Sequence, residues 1–169
     1  FKRTINVYCG VNKATNNSQV QYYNPYKTTW YLTAINLATP CAISNWTALW
    51  YRGDTSVESS VQASGSYTQA YNENHDWYAI YSRSYTANFY SGVSRATTKT
   101  VTSSTVTYNT NTTSLPTTVS ITLDTAANCT DISNWTELGW RDDESAWAKE
   151  YDYWATVTVP WWTNFHSTY

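Results

Sequence analysis

Charge is scarce in this chain. Asp, Glu, Lys and Arg together make up 13% of it, about half the usual share of a globular domain. The polar coat must therefore come from Thr, Ser and Asn, which suit strands and turns better than helix interiors because their side chains compete for the backbone. Ten basic residues stand against twelve acidic ones, for a net charge of −2. That balance gives no basic stripe to recruit nucleic acid or anionic lipid. No run of apolar residues is long enough to insert in a membrane, and no signal-peptide pattern is present. Methionine is absent even at position 1, where Phe1 stands, so the chain is expected to be processed or to be a piece of a longer one. The HExxH, GxSxG, P-loop, GxGxxG and CxxC patterns are all missing, which points away from an enzyme, and nothing suggests a cofactor.

What is abundant is aromatic. Trp (10) and Tyr (16) far outnumber Phe (3), and aromatic residues reach 17%. Trp and Tyr carry a polar tip on an apolar body and serve at half-wet surfaces and interfaces. The 41% hydrophobic content over 169 residues is enough for one medium core or two small ones.

Two cores are favoured by an internal repeat. Ile43-Ser44-Asn45-Trp46-Thr47 returns 89 positions later as Ile132-Ser133-Asn134-Trp135-Thr136. The match runs on through Leu49 and Leu138, Tyr51 and Trp140, Arg52 and Arg141, Asp54 and Asp143. A second anchor sets Asn6-Val7-Tyr8-Cys9-Gly10 against Asn88-Phe89-Tyr90-Ser91-Gly92, 82 positions on. A looser third sets 77–82 beside 162–167. The expected units are residues 1–83 and 84–169.

The local pattern predicts a mainly β fold: two tandem β-sheet repeat units, β-grasp-like or sandwich-like, with little helix. Val119, Ile121 and Leu123 alternate at period two, as in a half-buried strand. Residues 154–159 are rich in β-branched side chains and stop at Pro160. Residues 77–81 and 85–90 read as aromatic strands, and Asn24-Pro25 marks a turn. Only 143–153 looks helical, with Asp143 as a cap.

The second copy has an aromatic strand ending in Tyr90-Ser91-Gly92, then a Thr/Ser-rich stretch, then Leu138-Gly139-Trp140-Arg141-Asp142-Asp143, then a closing aromatic strand. This resembles the Listeria–Bacteroides type of repeat, the internalin B-repeat-like units strung along Gram-positive surface proteins. Residues 88–92, 138–143 and 77–83 carry the likeness. Trp140 sits where that family's Gly-Trp motif has its tryptophan. In the first copy Tyr51 takes that place and Trp50 replaces the glycine. The second copy shows Asn164-Phe165 instead of the family's Tyr-Ala ending. The resemblance implies a small sheet of the β-grasp kind, used as a spacer or adhesive stalk, with no catalytic residues to carry over.

The chemistry-bearing residues read blandly. His75 and His166 each fall in an aromatic stretch and read as strand or loop residues rather than metal ligands. Asp142-Asp143-Glu144, near Asp131 and Glu137, has the oxygen donors for calcium but no EF-hand spacing, and reads as a solvated turn. Three cysteines leave at least one outside any pair within the chain. Cys9 in the first copy faces Ser91 in the second, so a Cys9–Cys41 bridge whose second-copy counterpart has lost one half would leave Cys129 free or bonded between molecules. The alternative is three reduced thiols. Five Asn-X-Ser/Thr sites occur, at Asn16, Asn45, Asn111, Asn128 and Asn134; Asn45 and Asn134 are repeat equivalents and candidate glycosylation sites.

The expected function is that of a structural subunit of a bacterial extracellular fibre, stalk or surface layer, lying outside the cell. Its expected partners are copies of itself or further repeats, joined end to end through the N-terminal strand Thr4, Ile5, Asn6, Val7 and Tyr8. The alternative is an adhesive module in which exposed aromatics, drawn from Trp46, Trp50, Trp77, Trp135, Trp140, Trp161 and Trp162, grip a glycan or a host surface. In both copies Trp46 and Trp135 are expected in the core.

Overall fold

The computed structural model of the chain describes residues 2–22, 24, 26, 34–53, 65–67, 76–102, 105–123, 131–142, 150–161 and 163–169. Their secondary structure is mainly β. The first half supplies β1 (Lys2–Ile5), β2 (Val7–Cys9), β3 (Thr15–Asn16), β4 (Gln19–Tyr22), β5 (Ile35–Leu37), β6 (Thr47–Arg52), β7 (Gly65–Tyr67) and β8 (Trp77–Arg83). The second half supplies β9 (Thr86–Ser91), β10 (Thr97–Thr102), β11 (Val106–Asn109), β12 (Thr118–Thr122), β13 (Gly139–Arg141), β14 (Glu150–Tyr151), β15 (Thr156–Pro160) and β16 (Phe165–Thr168). Of the segment expected to be helical, Glu150 and Tyr151 form a strand and 143–149 lie outside the described residues.

Two compact units result. Unit 1 is Phe1–Arg83 with Thr107–Leu115; unit 2 is Ser84–Val106 with Pro116–Tyr169. The chain thus passes between units at 83/84, as the repeat suggests, but also returns to unit 1 for residues 107–115. That return corrects the simple division into 1–83 and 84–169. Its cause is local hydrogen bonding: β11 joins β8, where the Thr110 N–H donates to the Ala79 carbonyl at 3.0 Å.

In unit 1 an antiparallel hairpin pairs Lys2 with Tyr22 at its open end and Cys9 with Thr15 near its turn. β2 then lies parallel to β8, Val7 facing Trp77 and Tyr8 facing Tyr78. β6 pairs antiparallel with β8, Arg52 facing Tyr78 and Tyr51 facing Ala79. The alternating buried positions Ile5, Val7, Cys9, Trp77, Ala79 and Tyr81 fill the core, as period two dictates for one face of a sheet.

Unit 2 repeats the hairpin and the strand pairings just described. Ser91 faces Thr97 and Thr86 faces Thr102 in the hairpin. This is the register of unit 1 moved by 82. β16 is parallel to β9, Phe165 facing Phe89 and His166 facing Tyr90, while Arg141 of β13 faces His166 and Trp140 faces Ser167. The sheet order is β10-β9-β16-β13-β14, with the unit's strands β9 and β16 side by side in parallel. The ladder also corrects the third sequence anchor. Trp77 corresponds to Phe165, 88 positions on, and not to Trp162. A shared tryptophan had outweighed the strand register.

The period-two reading of 117–123 holds: Val119, Ile121 and Leu123 are buried with Val157 and Val159 around Phe89, Trp140 and Phe165. The outer face of the β12–β15 pair is a hydroxyl ladder, Ser120 to Thr158 at 3.2 Å and Thr122 to Thr156 at 3.3 Å. Gly139 is required where it stands, because a Cβ there would meet the Tyr151 carbonyl oxygen at 2.3 Å.

Candidate functional site

Each hairpin ends in the same unusual turn. Gly10 and Gly92 have φ of 83° and 75°. Two non-glycine residues follow in the left-handed region: Asn12 and Lys13 at 51° and 56°, Ser94 and Arg95 at 54° and 59°. Non-glycine residues there cost on the order of 1 kcal/mol each and persist only when their surroundings hold them.

In unit 1 the N–H groups of Asn12 and Lys13 are received by β11 and the residues after it. The Asn12 N–H donates to the Tyr108 hydroxyl at 2.9 Å, and the Lys13 N–H to the Thr110 carbonyl at 2.9 Å. The Thr110 hydroxyl donates to the Gly10 carbonyl. Trp77 N–H donates to Asn6, and Ala79 accepts from Thr110. Groups two residues apart on a strand point the same way, so β11 continues along the edge of β8 that β2 begins. Tyr108 is 2% exposed, tilted against Trp46 with ring centroids 6.0 Å apart and against Tyr81 at 6.3 Å. The Tyr81 hydroxyl accepts from the Gly10 N–H at 3.0 Å and donates to the Cys41 carbonyl at 2.8 Å. Burial raises the Tyr81 hydroxyl pKa above its ordinary value, opposed by the Gly10 N–H.

Unit 2 carries the counterpart of Tyr81 and of the tryptophan turn, but among the described residues none of Tyr108 or Thr110. The Tyr169 hydroxyl accepts from the Gly92 N–H at 2.9 Å, as Tyr81 does from Gly10. Trp135 N–H closes its turn on the Ile132 carbonyl at 2.9 Å, as Trp46 does on Ile43 at 3.1 Å. Asn45 and Asn134, the candidate glycosylation sites, hold the third position of these exposed turns at φ 63° and 64°. Yet Trp46 is 9% exposed and Trp135 is 65% exposed. The expectation that both lie in the core is corrected for Trp135: among the described residues, unit 2 has no counterpart of β11 to cover it.

A second repeated feature is a cation over stacked rings. Tyr8 stacks on Tyr78 at 5.5 Å with the Lys13 ammonium 5.8 Å from the Tyr8 ring centroid. Tyr90 stacks on His166 at 5.2 Å with the Arg95 guanidinium 5.2 Å away. Both sets are partly exposed. The Tyr8 pKa is raised by burial and by the Asp76 carboxylate, whose oxygen holds the Asn6 side-chain amide at 3.0 Å. His166 is thus a strand residue in a ring stack.

Cys9 and Cys41 are disulfide-bonded, their Cα atoms 5.7 Å apart; Cys129 and His75 lie outside the described residues. Asp142 accepts from the Tyr151 hydroxyl at 3.0 Å, and Arg141 pairs with Glu150. Among the described residues no acidic, His or Cys group clusters as a metal site, and no helix is long and apolar enough to cross a membrane. Of the expected assembly strand, Thr4 and Ile5 pair with β4, while Val7 and Tyr8 are paired on both edges, with β8 and with β3 and the residues beside it. Residues 107–115 fall in the compact unit of the first copy; the sequence signal for them is Tyr26-Lys27-Thr28 recurring 82 positions on as Tyr108-Asn109-Thr110. No protein-family model matches the chain, and neither does any curated protein or solved structure.

Proposed function

We propose that the chain is a structural module of an extracellular bacterial fibre, stalk or surface layer, built to join end to end through β-strands. The observation that carries this reading is that a segment from the second repeat, Thr107–Leu115, belongs to the compact unit of the first. A strand taken up in this way brings backbone hydrogen bonds as well as a buried side chain. The Cys9–Cys41 disulfide and the low charge suit an oxidising exterior. The resemblance to internalin B-type repeats points the same way. Negative-stain microscopy and sedimentation of the purified chain test it. Filaments, or species that grow with concentration, are expected. A chain that stays monomeric and binds a glycan array overturns it.

The adhesive reading has one observation of its own. Trp154 is 63% exposed and held at φ 63°, a conformation costly for a bulky residue, in a turn closed by the Ala155 N–H on the Asp152 carbonyl at 3.2 Å. A presented indole of this kind suits stacking on a sugar ring. Trp154→Ala abolishing glycan capture would support it.

A further inference from the structure

We infer that the uncovered end of unit 2 is a strand-receiving site for a second copy of this chain, and that the incoming side chain is Tyr26. The inference rests on the end-to-end reading above and supplies its joint. The acceptor is in place except at Arg95, the counterpart of Lys13, whose N–H closes on the Gly92 carbonyl at 3.3 Å and would have to turn to the incoming strand. Ser167 corresponds to Ala79, whose carbonyl takes the Thr110 N–H. The Thr168 carbonyl is engaged by Leu138 N–H at 2.8 Å on the β13 side, so by strand alternation the Ser167 carbonyl points to the other edge, beyond the end of β9. Ser94 corresponds to Asn12, whose N–H donates to the Tyr108 hydroxyl. Among the described residues nothing receives the Ser94 N–H, although Ser94 keeps the left-handed φ of 54° that matches the 51° of Asn12. Strain kept without its hydrogen bond marks a site arranged for an absent partner. Beside it the Trp135 indole lies open at 65% exposure, with Leu138 at 63%.

The donor is identified by the same offset that relates the hairpins. Moving Tyr108 back by 82 gives Tyr26, and moving Thr110 back gives Thr28. Tyr26 is 95% exposed, while its counterpart Tyr108 is 2% exposed against Trp46. Each exposed aromatic therefore has a buried twin, and the two twins touch each other. Joining Tyr26 of one copy to Trp135 of another satisfies both by the contact already made between Tyr108 and Trp46. Donor and acceptor are different surfaces, so the contact is heterologous, and repeating it builds an open chain of copies unless the rotation closes a ring.

Sedimentation velocity on the full chain, from roughly 1 μM to 1 mM, tests this with three proteins. Wild type should show species heavier than monomer that grow with concentration. Tyr26→Asp removes the donor and Trp135→Asp the acceptor. Both positions are exposed, so each variant should fold, as unchanged near-ultraviolet circular dichroism would confirm. Each alone should associate about thirtyfold or more weakly than wild type, the effect of losing a central aromatic anchor. An equimolar mixture retains one donor and one acceptor, and should form a dimer and nothing larger. Wild type that assembles while both variants assemble equally well overturns this joint and leaves the fibre reading standing. Variants that stay monomeric alone and fail to dimerise when mixed overturn the joint as well. Wild type that remains monomeric throughout overturns both.

Discussion

Unit 1 and unit 2 set the same hairpin beside the same parallel strand, with the same left-handed turn and the same tyrosine hydroxyl on the turn's glycine. They differ in what closes that end. In unit 1 Tyr108 covers Trp46 and Cys9 is tied to Cys41; in unit 2 Trp135 faces solvent and Ser91 replaces the cysteine. The shared part is what short-range sequence can specify: hairpin register, turn chemistry and alternation. The differing part depends on a segment some sixty residues distant from the tryptophan it covers. A repeat can thus conserve its internal pairing while the fate of one side chain turns on its neighbour, as in solenoids whose end units lack an adjoining repeat.

The sharpest way to break this comparison is to truncate the paired tryptophans. Trp46→Ala should destabilise unit 1 by about 3–5 kcal/mol, because it removes a buried indole and leaves Tyr108 beside a cavity. Trp135→Ala should change unit 2 by less than about 0.5 kcal/mol in the monomer, as for an exposed residue. Denaturant unfolding followed by hydrogen exchange, with peptides assigned to each unit, measures both. Equal effects would mean that Trp135 is covered, and the asymmetry between the units would disappear.

Reducing the Cys9–Cys41 bridge comes next. The cysteines are 32 residues apart, and releasing a loop of that size from the unfolded chain costs about 3–4 kcal/mol of stability. The loss should fall on unit 1, with exchange in β9, β12 and β16 of unit 2 little altered by reductant.

Most of the fold was legible in the sequence because the repeat is written in residues with fixed local duties. Asn45 and Asn134 mark a left-handed turn position, Gly10 and Gly92 the hairpin end, and Val119-Ser120-Ile121-Thr122-Leu123 a half-buried strand. The bridge was legible too, through the coincidence of Ser91 with an odd cysteine. The candidate site was not. Trp46 and Trp135 have the same sequence surroundings, so nothing local distinguishes the covered indole from the open one. Tyr108 lies in a hydroxyl-rich run whose composition gives no sign that β11 pairs with β8. The third anchor misaligned because Trp77 and Trp162 share identity, whereas the ladder aligns backbone position and admits Phe165 as the equivalent.

Alkaline pH offers a smaller difference. Tyr51 is buried, and desolvation together with the neighbouring Tyr81 pushes its hydroxyl pKa up to about 12; its counterpart Trp140 does not titrate. The folded state holds this proton more tightly than the unfolded chain, whose tyrosines ionise near 10. The resulting stability is intact below pH 10 and is lost as pH rises through about 12, by roughly 2 kcal/mol. Tyr51→Phe should therefore lose less stability than the parent between pH 9 and 12, measured by urea unfolding. Tyr81 in unit 1 and Tyr85 in unit 2 are also raised by burial, so the variant should flatten the alkaline decline without abolishing it. An unchanged decline would show that Tyr51 is not among the groups responsible.

The smallest effect tests the likeness of the units rather than their difference. Asn45 and Asn134 hold φ of 63° and 64°, a conformation that asparagine tolerates and most side chains resist. Each turn is closed by the same hydrogen bond, from Trp46 to Ile43 and from Trp135 to Ile132. Alanine at either position should cost about 0.5–1 kcal/mol through the left-handed backbone alone, and glycine, which needs no left-handed exception, should cost almost nothing. The two alanine variants should agree within about 0.3 kcal/mol even though the next residue is buried in one unit and exposed in the other. That agreement would mean the turn is set by its own four residues before any strand covers it, so that unit 2 offers Trp135 ready placed. If Asn45→Ala costs far more than Asn134→Ala, the turn of unit 1 draws its geometry from the covering strand, and the open turn of unit 2 cannot be taken as a preformed copy of it.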